Sequence, residues 1–572
     1  MIKATIEHVV VLMLENRSFD HMLGLYPNRQ IDGLYGPDGV TLNRAFANSV
    51  TGRRAGQTSV FPVQAGADYT IDAEQIDQRG FGGPGHSFPD ATQQLFNAPV
   101  APAGATVAPL SGFAQNYLDQ LLSDVHIKTP SDAEISVPMC AFEAGQLPTL
   151  WQLAQEFCVC DRWFSEVPGP TQPNRLYVHA GTSAGYTHNV WQQPLDIPTV
   201  YDALDKAGYD WSVYYFDLRD TDCFPAIKKR VDRILPFANF LSQAKSGTLP
   251  AYNFLCPRYN EANPPEDTPP NSEHAPYDVR NGENLIADVY EALRAGPGWP
   301  HTLLIITYDE HGGYFDHVSP PATGVANPDG INSPTALDLH NAKANPQQYG
   351  YLAKSDYAFD FRRLGLRVPA VLVSPWVPSG SVLGSPLQHT SIMASLRDLY
   401  GIGTLTHRDA QAKSFASALS LSAARQDAPM LLNRPPLIPS GAAASFAPLT
   451  HQQSEMWPLL SQLDGHPDSG HVVPEPATRA AAASYIATRI AAHDRFHRQR
   501  RRKASYAITH QSPGHFSWTL HDESGKPLAT SPHTFPSQAA AEASIAQVRD
   551  LGPFARQFAP EPVGSKKPHP SD

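Results

Sequence analysis

Two pairs of oxygen ligands stand at the ends of two apolar runs. His8-Val9-Val10-Val11-Leu12-Met13-Leu14 leads into Glu15-Asn16-Arg17-Ser18-Phe19-Asp20-His21, and Thr302-Leu303-Leu304-Ile305-Ile306-Thr307-Tyr308 leads into Asp309-Glu310-His311-Gly312-Gly313, then Asp316-His317. Carboxylate and amide oxygens suit a hard or borderline divalent cation. Neither cluster has the Cys or paired-His spacing of a structural zinc site. A carboxylate at a strand end also serves as a helix N-cap, but Gly312-Gly313 favours a ligand, because glycine lets backbone approach one closely. Between the clusters, Thr171 lies in Val167-Pro168-Gly169-Pro170-Thr171-Gln172-Pro173-Asn174-Arg175, where Pro170 and Pro173 imply a rigid turn. A Thr hydroxyl is a poor nucleophile until a base or metal lowers its pKa. Coordinated to the cation, its alkoxide would attack phosphorus and give a phosphothreonine, with the metal offsetting charge in the transition state. The chain has 23 histidines, so one alone says little. His86 in a Gly-flanked loop, His274, His311, His317 and His389 are placed to donate to phosphate oxygens or protonate a leaving alcohol, and each has an equal structural reading.

The elements that must position these residues are legible as well. Apolar, β-branched runs read as strands buried on both faces, as in a parallel sheet, and open α/β sheets bind ligands beyond the carboxyl ends of such strands. Val368–Pro375 reads as a third buried strand. Helical spacing covers 112–128, 145–157 and 281–294, with further helices over Leu176–Gly181 and from His389 to about Tyr400. Residues 48–110, which carry His86, and 319–356 read as long loops. The expected fold class is α/β, a mostly parallel sheet sandwiched by helices.

The bulk properties narrow the function. At 572 residues the chain exceeds one ordinary domain. A net charge of −12 argues against a nucleic-acid partner held by phosphate neutralisation. No apolar run is long enough to span a bilayer. The five cysteines lack zinc-knuckle spacing and read as core thiols. Met1–Glu7 runs into the first strand with no recognisable export signal, so the expected location is cytoplasmic, or outside the cell without a signal in this chain. The sequence divides into a catalytic domain (1–430), a linker with an Ala-rich helix (431–504), a small α+β module (505–552) and a tail (553–572).

The three segments around Glu15, Thr171 and Asp309, with Tyr314-Phe315-Asp316-His317-Val318 and Pro320-Pro321, resemble the phosphoesterase family of bacterial and plant phospholipases C and acid phosphatases. Order and spacing agree over roughly residues 5–420. The resemblance implies an alkaline-phosphatase-like α/β fold and a metal site of Glu15, Asn16, Thr171, Asp309 and Glu310, with Thr171 as nucleophile. It places His86, His274 and His389 near the phosphate as catalytic residues, and His311 and Asn174 as substrate-binding ones. The metal stays open among calcium, magnesium, manganese and zinc. The acid phosphatase branch carries Ser at the nucleophile, so Thr171 favours a phospholipase C-like reaction that releases diacylglycerol and a phosphorylated headgroup. A broad acid phosphatase using the same site is the alternative. The substrate is then a phospholipid or small phosphoester, and contact with a membrane surface would be transient. Thr171-x-Pro173-x-Arg175 also has the shape of a sulfatase motif, but Thr cannot become the required formylglycine. The 505–549 segment resembles a small bacterial domain of unknown function.

Overall fold

The structure is a computed structural model. It describes residues 6–436 apart from 29, 52–56, 72–82, 124–126, 190–193, 261–268 and 331–358, together with Tyr485 and 505–551 apart from 513–514, 522–526 and 532–533. The expected Ala-rich helix and the tail lie outside these residues apart from Tyr485, as does most of the 319–356 loop. Two compact units divide at Ile490/Ala491 and are described separately.

The first unit is built on an eight-stranded sheet. Its strands are β1 (His8–Leu14), β2 (Cys158–Val159), β3 (Trp211–Tyr215), β4 (Ile234–Pro236), β5 (Tyr252–Leu255), β6 (Thr302–Tyr308), β7 (Ala370–Val373) and β8 (Ser381–Val382), in the order β8-β2-β7-β6-β1-β5-β3-β4. β7 runs antiparallel to both neighbours, while the other pairings are parallel. β1 and β6 are buried along nearly their whole lengths, as their apolar runs require, and so is β7. In their parallel register Leu14 pairs with Tyr308. Glu15 and Asp309 therefore leave the sheet side by side, although 294 positions separate them in the chain.

The helices that matter are α1 (Phe19–Leu23), α2 (Phe88–Phe96), α3 (Phe113–Ser123), α4 (Pro148–Glu156), α5 (Thr171–Ala180), α6 (Val279–Ala295) and α7 (Ser391–Tyr400). One expectation is corrected here. The helix expected from Leu176 begins at Thr171, and Pro173 lies inside its first turn, where a missing N–H leaves no intrahelical bond unmade. A second correction concerns 431–436, expected to open a linker. Arg434 pairs with Asp288 and Glu291 at 2.7 Å, and Asn284 Nδ2 donates to the Pro435 carbonyl, so this segment is docked on α6. All five cysteines are free thiols and four are buried, in line with a core role.

A buried ion network ties α1 to the segment after β6. Arg367 donates to Asp20 at 2.9 Å, to Asp316 at 2.8 Å and to the carbonyls of Asp32 and Asp161. His317 bridges Asp20 (2.7 Å) and Asp32 (3.0 Å). Asp20, Asp316 and His317 converge closely enough to hold a cation, but the Arg367 guanidinium already supplies that charge. Burial favours a neutral His317 ring, yet the charge of Asp20 and the bonds to Asp20 and Asp32 outweigh it and push its pKa up to about 10.

The second unit has an antiparallel sheet of β9 (Ser505–Ser512), β10 (His515–His521) and β11 (Pro527–Thr530), with α8 (Gln538–Leu551). Trp518, Phe535, Ala541 and Ile545 form its core.

The His317 network generates a pH-dependent stability. Its folded pKa lies above the unfolded value of about 6.5, so its contribution is complete below that value and is lost as the pH rises towards about 10. His317→Asn should cost about 3 kcal/mol at pH 6, and urea denaturation should show the gap to wild type narrowing towards pH 9.5. A gap independent of pH would contradict a charged His317.

Candidate active site

The site begins with Asn16, directly beyond β1, whose φ of +58° is uncommon for a non-glycine residue. Its backbone N–H donates to Asp309 Oδ1 at 3.1 Å, and its Nδ2 contacts Glu310 Oε1 and donates to Thr171 Oγ1 at 3.3 Å. Gly312 explains how the chain packs so tightly here. At its φ of +65°, a Cβ would lie 2.0 Å from the Asn16 carbonyl oxygen. The diglycine thus admits the chain's own backbone, not only a ligand. Glu310 Oε2 accepts the Gly312 N–H at 2.7 Å, which fixes the carboxylate facing Asn16.

Thr171 is the first residue of α5, so its hydroxyl lies at the positive end of a ten-residue helix. One turn on, at the i+4 position of the same face, stands Arg175. This guanidinium is fully buried. It donates to Asp309 Oδ2 (2.9 Å), to Asp220 Oδ2 (2.7 Å) and to the Met13 and Leu14 carbonyls (3.2 and 3.1 Å), and lies 3.7 Å from Glu15 Oε1. Asp309 Oδ1 accepts two backbone N–H groups, from Asn16 and from Glu310 at 2.7 Å. Burial pushes the Glu15 carboxyl well up against the pull of Arg175. Burial also raises Asp309, again opposed by Arg175. At Asp220 burial is overruled by Arg175 and His179, which hold it well below the usual carboxylate range.

The sequence-expected residues separate into two groups. Glu15, Asn16, Thr171, Asp309 and Glu310 converge, and His86 reaches them with Nε2 3.9 Å from Glu310 Oε1. The His274 ring lies edge-on to His86 at 5.3 Å. His86 Nδ1 bonds the Pro84 carbonyl at 3.1 Å and His274 Nδ1 bonds that of Ala275. A carbonyl only accepts, so each Nδ1 keeps its proton and Nε2 is the atom that can exchange one.

The other three residues are bonded to protein groups. His389, expected as catalytic, is fully buried. Its Nδ1 accepts the Trp163 indole N–H at 3.1 Å, so its Nε2–H donates to the Asp309 carbonyl at 2.7 Å. Burial pushes its pKa down to about 4, which leaves a neutral ring that positions Asp309. Asn174, expected to bind substrate, accepts the Glu166 and Val167 N–H groups and donates to the carbonyls of Val167, Gly169 and Pro170. It shapes the turn before Thr171. His311, also expected to bind substrate, is buried behind Glu310, bonded to Gln94 at 2.7 Å, with its pKa pushed down to about 3 by burial. Sequence reasoning missed Arg175, Asp220, Trp163 and Gln94 as determinants of the site. The Thr171/Arg175 spacing was the available signal for the first.

If His389 only positions Asp309, His389→Gln should lower kcat/KM about tenfold without moving either limb of the pH–rate profile. A displaced limb would assign it a titrating role.

The Phosphoesterase family model matches residues 6–403. Non-specific phospholipase C5 of Arabidopsis thaliana is 34% identical over 490 residues, covering 80% of this chain and 83% of that protein. Non-specific phospholipase C6 of the same plant is 35% identical over 482 residues, 81% of this chain and 82% of that one. Phospholipase C B of Mycobacterium tuberculosis is 27% identical over 457 residues, covering 73% and 78%. A crystal structure described as a protein in the alkaline phosphatase superfamily from Vibrio parahaemolyticus aligns over 50% of this chain and 66% of that one, with 13% identity and a TM-score of 0.28, and carries no argument here. The match across the sheet and every site segment, with relatives of this identity and coverage, makes the chain a member of the phosphoesterase family and a phosphoric ester hydrolase.

Proposed function

We propose that this hydrolase is a metal-dependent, phospholipase C-like phosphodiesterase whose nucleophile is Thr171. The observation that carries the reading is the contact of Asn16 with both Thr171 Oγ1 and Glu310, at the N-terminus of α5 and beside buried Glu15 and Asp309. The donor chemistry fits a divalent cation. Asn16 Oδ1 is buried without a hydrogen-bond partner among the described residues, and the buried carboxylates Glu15, Asp220 and Asp309 share one guanidinium. Glu15, Asn16, Thr171, Asp309 and Glu310 would hold the metal. Such an ion, when bound, lowers the pKa of a hydroxyl and offsets charge on phosphoryl oxygens.

In this reading the Thr171 hydroxyl releases its proton to solvent, from which His86 regains the one it gives up, and Thr171 Oγ attacks phosphorus as the bond from phosphorus to the glycerol oxygen breaks. His86 Nε2 gives the leaving diacylglycerol oxygen its proton, and His274 Nε2 donates to a phosphoryl oxygen. Water then breaks the Thr171 Oγ–phosphorus bond, the hydroxyl is restored and the phosphorylated headgroup leaves. The names of the plant and mycobacterial relatives support a phospholipid diester as substrate.

Thr171→Ala should lower kcat about 10³-fold or more with an unchanged circular dichroism spectrum. Acid-quenched wild type turning over phosphatidylcholine should carry a phosphorylcholine adduct on the peptide containing Thr171. Undiminished turnover by the variant, or an adduct elsewhere, would sink the mechanism. Release of phosphate from p-nitrophenyl phosphate, with none of phosphorylcholine from phosphatidylcholine, would favour the monoesterase instead.

Metal removal gives a separate test. Dialysis against a chelator should lower both activity and the thermal midpoint, and one divalent cation should restore both. A ligand at a hundred times its Kd stabilises by about 2.7 kcal/mol. Full activity after exhaustive chelation would contradict metal dependence.

A further inference from the structure

A groove of about 330 Å³ lies beside the site and has no part in the chemistry above. Its walls include Phe88, Phe96, Pro168 and Phe359, with the 101–106 segment along one side and Arg363 at one end. Two of these residues connect it to the reaction. Phe88 opens α2 two residues after His86, and Pro168 belongs to the turn that presents Thr171. A Cβ on Gly169 of that turn would meet the Phe88 side chain at 3.5 Å, so the two walls adjoin within two residues of Thr171 in the chain.

Arg363 is the unusual group. Its Nη2 donates to the Ala105 carbonyl, and its guanidinium carbon stacks 5.1 Å from the Phe96 ring centroid. Its Nη1 is buried with no hydrogen-bond partner among the described residues. Leaving a buried donor unsatisfied costs about 1–3 kcal/mol, and more for a charged group, and this incompletely bonded guanidinium belongs to a residue that lines the groove. Asp360 and Arg362 also line it, and both are exposed. The segment along its side is bounded by Val100 and Val107, each 71% exposed. Large apolar side chains so exposed on one loop suit contact with a lipid phase.

We propose that this groove receives the diacylglycerol end of the substrate, resting on the phospholipid reading of the active site. Aromatic walls meet the first methylenes of an acyl chain, and the Arg363 side chain, which has a donor unused among the described residues, turns to an ester carbonyl of the glycerol backbone. The volume stands at the low end of small-molecule sites, about 300–1,000 Å³. It therefore holds the glycerol and the start of a chain, while the rest stays in the lipid phase against Val100 and Val107.

The test compares two soluble substrates on the full chain. One is dihexanoyl phosphatidylcholine below its micelle concentration, and the other is bis(p-nitrophenyl) phosphate, which has no glycerol or acyl part. Ala105→Trp and Ala322→Trp each fill the groove from a different wall, with thermal midpoints checked against wild type. In at least one folded variant the ratio of kcat/KM for the lipid to that for the aryl diester should fall about tenfold. Arg363→Gln should lower the same ratio, chiefly through the KM of the lipid. Ratios unchanged in every folded variant, with wild type active on the lipid, would overturn the groove alone. Wild type active on the aryl diester and inert on the lipid would overturn both the groove and the phospholipase reading.

Discussion

The active site depends on one guanidinium. Arg175 is buried where β1 and β6 leave the sheet, and it binds Asp309, Asp220 and the last carbonyls of β1 while facing Glu15. A buried carboxylate is costly unless paired, and here several lie close together, as the proposed cation site needs. Arg175 makes that tolerable by sharing its guanidinium among Glu15, Asp220 and Asp309. Because it stands one helical turn after Thr171, the same anchor sets the pose of the Thr171 hydroxyl. Charge neutralisation and positioning are thus one interaction.

The surrounding structure keeps that arrangement stiff. Gly312 lets the second acidic segment lie against Asn16, and the Asn174 amide fastens the turn that delivers Thr171. His389 and His311 are kept neutral by burial, so they add hydrogen bonds behind the carboxylates without adding charge. His86 and His274 differ in having each Nδ1 fixed by a backbone carbonyl, which leaves Nε2 for proton exchange. In the proposed reaction the first pair positions the carboxylates and the second does the acid–base work.

Much of this was legible in the sequence, for a physical reason. A strand buried on both faces must be apolar throughout, so the first polar residues after it mark the sheet edge, as Glu15 and Asp309 do. That they meet follows from the parallel pairing of β1 with β6, which apolar runs suggest but do not specify. The start of α5 was misread because prolines look like helix breakers even where the first turn tolerates them. Asn174, His311 and His389 were expected at the substrate and bond protein groups here, because a residue type shows what a side chain can bond, and not which partner takes the bond. The binding of 431–436 to α6 was hidden in a Pro-rich composition that resembles a linker. Arg175 was visible in the motif, but its role needs the burial that only the fold supplies.

The proposed reaction needs a metal ion held at Glu15, Asn16, Thr171, Asp309 and Glu310. The most direct measurement is anomalous diffraction from crystals of the active protein, recorded across the absorption edges of the candidate metals. The account predicts a single peak with oxygen ligands from these five residues at about 2.0–2.6 Å. A peak instead among Asp20, Asp316 and His317, or fully active crystals with no ion at the Thr171 site, would contradict it.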